Sequence, residues 1–125
     1  MNKKNNDTFS ILISQAIGSL KLKDIESSKS IISNAIILNA DAPQPHNLLG
    51  ILYEIKGDDS LARKHYRAAY ALDPTYTPAC HNLERLVMSQ WGSLKRDYDY
   101  GDIDKENPKD QDLTFDLYSE VLQSK

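Results

Sequence analysis

The sequence predicts an all-α fold: a short helical solenoid of two helix–turn–helix repeats and a capping helix, followed by an acidic linker and a C-terminal amphipathic helix. Three observations carry this expectation. Apolar residues recur at three- and four-residue spacing from Phe9 to Trp91, the period of one helical face. Cap and stop residues punctuate the pattern at Asp24, Asp41-Ala-Pro43, Gly57-Asp-Asp59 and Asp73-Pro74. Shifting the chain by 34 residues lays small residues on small and bulky apolar ones on bulky apolar ones.

Residues 1–7 are polar and are expected to be disordered; residues 8–92 form the helical domain. From Thr8 to about Leu22, Leu12, Ala16 and Leu20 share one stripe, with Phe9, Ile13 and Ile17 beside them. Asp24 can cap a second helix, which carries Ile25, Ile32, Ala35, Ile36 and Leu38 and ends near Asn39-Ala-Asp. Pro43 suits the first turn of a third helix, where its missing N–H costs nothing. That helix runs to about Lys56, and Gly57 can take the left-handed conformation that ends it. Asp58 or Asp59 can cap a fourth, stopped by Asp73-Pro74. A fifth spans about Thr77 to Trp91, with Leu83, Leu86, Val87 and Trp91 on one side. Residues 93–110 are charged, contain Gly and Pro, and read as an acidic linker. Over residues 111–123, Leu113, Leu117 and Val121 return at four-residue spacing, the mark of a short amphipathic helix.

The repeat has a physical demand behind it. Where two helices cross closely only Gly, Ala or Ser fits, and between those points a large residue fills the groove. The shift places Ala16 on Gly50, Ser28 on Ala62, Ile32 on Tyr66, Ala35 on Ala69 and Leu38 on Leu72. This pattern resembles the tetratricopeptide repeat. In residues 43–76 the family's large and small set falls on Leu49, Gly50, Tyr53, Ala62, Tyr66, Ala69 and Pro74, with His46 where the family usually has Trp. Residues 9–42 are a weaker copy, with Ser19 in place of the aromatic before the turn and Ala40 in place of the proline. Residues 77–91 match a first helix only, with Cys80 and Leu83 in register and Glu84 in a small-residue slot.

The resemblance implies that the first helix of each pair lines a concave groove. Its inward positions fall on Ser10, Ile13, Ile17, Leu20 and Lys21, then Gln44, Asn47, Ile51, Glu54 and Ile55, then His81, Arg85 and Met88. An apolar groove of Ile13, Ile17, Leu20, Ile51, Ile55 and Met88 is therefore expected, with Asn47, His81 and Arg85 offering hydrogen bonds. Such a groove suits an amphipathic helix or an extended apolar peptide; the plainer alternative is that the isoleucines pack between neighbouring helices. The clamp by which chaperone-tail adaptors of this family hold a terminal carboxylate uses Lys and Asn, then Asn, then Lys and Arg in successive repeats. The corresponding Ile13, Ile17, Leu48, Pro78 and Asn82 supply no charge, so the clamp is absent.

Other chemistry is poorly supplied. Cys80 is the sole cysteine, which fits a reducing, cytoplasmic setting and a packing role. The three histidines show no zinc spacing, and counting from Asp97 puts Asp102 and Pro108 where a calcium loop wants Gly and Glu. No catalytic residues, metal or cofactor are expected. Nor is nucleic acid, because the formal net charge is −3 and the excess acid lies after residue 91. The start superficially resembles a signal peptide, but Ser14 and Gln15 interrupt its apolar run, and no run reaches the length of a membrane span.

The expected function is a non-catalytic protein–protein interaction module, adaptor or chaperone-like, that binds an apolar or amphipathic segment of another protein. The alternative is a structural domain whose groove is filled by its own C-terminal helix, or by that of a second copy in a homodimer. Two repeats are short of the about three that arrays need, so something must cover their edges.

Overall fold

A computed structural model describes residues 3–88 and 96–102. Among them are five helices and no strand: α1 (Lys3–Lys21), α2 (Ile25–Leu38), α3 (Gln44–Ile55), α4 (Asp59–Leu72) and α5 (Thr77–Met88). Each helix packs on the next in the chain, and α3 also touches α1 and α5. The connections are three to five residues long, which folds consecutive helices back alongside one another. The all-α class expected from the sequence holds for the described residues. α1 begins at Lys3 rather than at Thr8, since nothing in the polar opening breaks a helix and the Thr8 hydroxyl bonds back to the Lys4 carbonyl. The expected C-terminal helix over residues 111–123 lies outside the described residues.

The two helix pairs close with the same turn. Asp24 and Asp58, 34 positions apart, cap α2 and α4 by accepting the N–H of Ser27 and of Leu61. Lys23 and Gly57 occupy the same left-handed step before those caps, at φ 61° and 88°. Asn39 and Asp73 end α2 and α4 in extended backbone, each donating its N–H to an alanine carbonyl, Ala35 and Ala69. Glycine takes the left-handed conformation without cost, whereas Lys23 carries a penalty of about 1 kcal/mol.

The core centres on α3. Its Leu48, Leu49, Ile51 and Leu52 supply four of the eleven residues of the main buried cluster, which joins Ala16, Ile17 and Leu20 of α1, Ile32 of α2, Ala62 and Tyr66 of α4 and Leu86 of α5. Ala16, Ala62, Ala69 and Tyr66 are completely buried. The Tyr66 ring lies so close over Gly50 that a side chain there would overlap it. Tyr53 stacks on His65, which stacks in turn on His46, so both imidazoles work as flat packing surfaces. Burial pulls the pKa of both imidazoles below the ordinary value, and for His65 the neighbouring His46 adds to the shift. Pro74 is exposed in the turn before α5.

Two glycines separate packing from propensity. Gly18 has open space where a side chain would go, so Gly18→Ala should stabilise the protein by roughly 0.5–1 kcal/mol through helix propensity. Gly50→Val should destabilise it by about 3 kcal/mol, because the Tyr66 ring must move. Denaturant midpoints of the two variants test this contrast; equal effects would mean that α3 and α4 do not pack this closely.

Candidate functional site

Two asparagines define the site. Asn47 on α3 and Asn82 on α5 are completely buried, and the Asn82 amide donates to the Asn47 carbonyl oxygen at 2.8 Å. Buried amides need partners for every remaining donor and acceptor. Here the partner is the backbone of Asp99. Its carbonyl accepts from Asn82 Nδ2 at 2.8 Å and from Asn47 Nδ2 at 3.0 Å, and its N–H donates to Asn82 Oδ1 at 2.9 Å. Asn82 thus pairs with a main-chain unit at both ends, as a neighbouring peptide group does in a sheet.

Residues 96–102, expected to run as solvated linker, instead lie across this face without regular secondary structure. Each of their charged and aromatic side chains except that of Asp97 meets a counterpart. The Asp99 carboxylate accepts from His81 Nδ1 at 2.7 Å, which fixes the proton on that nitrogen because a carboxylate can only accept. Asp102 pairs with Lys21 at 2.7 Å. The Tyr98 ring lies under both Lys23 and Arg85, and the Tyr100 ring under Lys21, at 5.1–5.3 Å from centroid to cation. Gly101 sits at φ 82°, and a side chain there would overlap the Tyr76 hydroxyl. Burial and the nearby Asp99 charge push the Tyr76 phenol pKa well above its usual range.

A charge cluster supports one end of the site. The Glu54 side chain has no exposed surface and binds the Tyr66 hydroxyl, both Arg85 nitrogens of a guanidinium fork, and Arg96. Arg85 also donates to Asn82 Oδ1 at 3.3 Å, so the cluster helps hold the asparagine in place. Arg96 forms a second fork with Asp59 at 3.0 and 3.1 Å, which holds the Asp59 carboxyl below the usual carboxylate range. Burial and Glu54 together raise the Tyr66 phenol far out of its ordinary range.

Of the groove residues expected from the sequence, Asn47, His81 and Arg85 come together here. Ile17, Leu20 and Ile51 are packed in the core, at 8 %, 0 % and 0 % exposure. Ile13 and Ile55 lie half-buried against that core, and Met88 is exposed at the end of α5. α1 and α3 are in contact, and Tyr98 and Tyr100 also pack against the cluster that holds Ile17 and Ile51. Past Gly101 a shallow cleft of about 210 Å³ continues between Ile13, Gln44, Tyr76 and Tyr100. Sequence reasoning missed Asn82, Tyr76 and the segment itself. The available signal was complementarity, since Tyr-Asp-Tyr-Gly-Asp alternates aromatic and acidic groups while Lys21, Lys23, His81 and Arg85 are all basic.

Cys80 is half-buried, and burial pushes its thiol pKa up. Among the described residues no group of three or more His, Cys, Asp or Glu is placed to hold a metal, and no helix is long and apolar enough to cross a membrane. Comparison of the chain with protein-family models, with curated proteins and with solved structures finds no match in any of the three.

Removing the clasp should release the segment and spare the helices. Asn82→Ala deletes two hydrogen bonds to Asp99, and the expected result is at least about ten-fold faster amide exchange over residues 98–102. Protection lost equally throughout the helices would mean that the segment is not a separable unit.

Proposed function

We propose that the chain is a non-catalytic peptide-binding module built from tetratricopeptide-like helix pairs, and that it holds a non-helical peptide main chain between α3 and α5. The observation that carries this reading is the double grip of Asn82 on the main-chain N–H and C=O of Asp99, reinforced by Asn47. Main-chain recognition of this kind gives affinity without regard to sequence, and flanking side-chain contacts then choose among peptides. The helix-pair assignment is supported by the matching turns at Lys23 and Gly57 and the matching caps 34 residues apart. A non-helical occupant is favoured over the apolar or amphipathic helix because the contacts made to residues 96–102 come from amides and cations.

One observation favours a second reading, in which residues 96–102 are simply part of the fold: Tyr98 and Tyr100 pack against the main core cluster. A chain ending at residue 95, titrated with a synthetic peptide of residues 96–102 in a calorimeter, separates the two. The module reading expects a folded shortened chain that binds the peptide and loses that binding on Asn82→Ala. A shortened chain that loses its helices, with no rescue by the peptide, would establish the structural reading instead.

A further inference from the structure

The face that holds residues 96–102 reads side chains as well as main chain, and it does so at fixed steps. Position 96 meets two carboxylates, Glu54 and Asp59. Position 98 offers an aromatic face to Lys23 and Arg85, and position 99 a carboxylate to His81. Position 100 offers a second aromatic face to Lys21. Position 101 must be glycine, for its left-handed backbone and for the Tyr76 hydroxyl against it. Position 102 returns an acid to Lys21.

The charges of the frame are paired without this occupant, since Arg85 and the Tyr66 hydroxyl satisfy Glu54, whereas Asn47 Nδ2 and the second hydrogen of Asn82 Nδ2 are left for a main-chain carbonyl. The outer contacts are wet: Lys21 and Asp102 are 52 % and 38 % exposed, and such pairs contribute little. Tyr98 and Tyr100 are only half-buried. A frame whose charges are paired in advance, and whose amides take any main-chain N–H and C=O, can exchange one strip for another.

Resting on the peptide-binding reading above, we infer that the natural occupant is a non-helical segment of a partner protein with the order basic, any, aromatic, acidic, aromatic, glycine, acidic. Residues 96–102 are a resident self-ligand that this partner displaces. Arg96 follows Met88 by only eight positions in the chain, so the self-ligand competes intramolecularly and outweighs a free peptide of equal fit. Only a matched competitor overcomes it.

The test uses the full chain and a fluorescent synthetic peptide with the sequence of residues 96–102. Gly101→Val opens the site from within, and Tyr98→Ala is a second opened variant should the first fold poorly. The opened chains should bind the peptide at least about ten-fold more tightly than the unaltered chain. The same peptide carrying Asp99→Lys, or scrambled in order, should bind at least about ten-fold more weakly. Equal binding of native and scrambled peptides would overturn the pattern while leaving a peptide groove in place. Equal binding by opened and unaltered chains would overturn the self-ligand. No binding to any opened chain that keeps its helices would remove both the inference and the reading beneath it. An unaltered chain that is dimeric by sedimentation, and becomes monomeric with the peptide, would make a second copy the occupant and also overturn the inference.

Discussion

The contact between two buried asparagines and the main-chain N–H and C=O of one residue, Asp99, organises everything else on this face. Asn47 and Asn82 lie where α3 and α5 meet, in a setting where an unpaired amide costs about 1–3 kcal/mol. They can satisfy each other only in part, through a single Asn82-to-Asn47 bond. The remaining donors and acceptor point at one place, and a main-chain N–H and C=O fit it together. The side chain of Asp99 then falls beside His81, and the residues on either side fall beside the lysines and Arg85. The register of the whole segment follows from that one pairing.

The buried carboxylate of Glu54 has a supporting role. A charge with no exposed surface is tolerated only when it is fully paired, and the Arg85 fork and the Tyr66 hydroxyl supply that pairing. The arrangement fixes Arg85 with its plane toward Tyr98 and one nitrogen on Asn82. Tyr66 in turn is fixed by Gly50, the close crossing of α3 and α4. Fold and site are therefore linked through one tyrosine, whose ring serves the packing and whose hydroxyl serves the charge cluster.

The helices were legible because their signals are local. Asp24, Asp58 and Gly57 act as caps and turn within a few residues of where they stand, and small residues such as Ala62 and Ala69 mark close crossings at fixed spacing. Lys23 was not legible as a left-handed residue, since nothing about a lysine asks for that conformation. The inward stripe of α1 and α3 was readable as inward, but a stripe cannot say whether it faces a neighbour or a ligand. Ile17, Leu20 and Ile51 are buried in the cluster against which Tyr98 and Tyr100 pack, and Asn47, His81 and Arg85 contact residues 98 and 99. Residues 96–102 could not be read at all by local rules. Their charge, Gly101 and lack of period all argue for linker, and what orders them lies up to 81 positions away, at Lys21.

Site and segment stand or fall with the pairing of Asn82 to the main-chain N–H and C=O of Asp99 in the intact protein. Nuclear Overhauser contacts from the side-chain amide of Asn82, measured on the full chain in solution, address it most directly. The account requires a contact to the backbone amide proton of Asp99, with that amide shifted from its random-coil position and slow to exchange. An Asp99 amide at its random-coil shift, exchanging at the rate of an open chain, would contradict it.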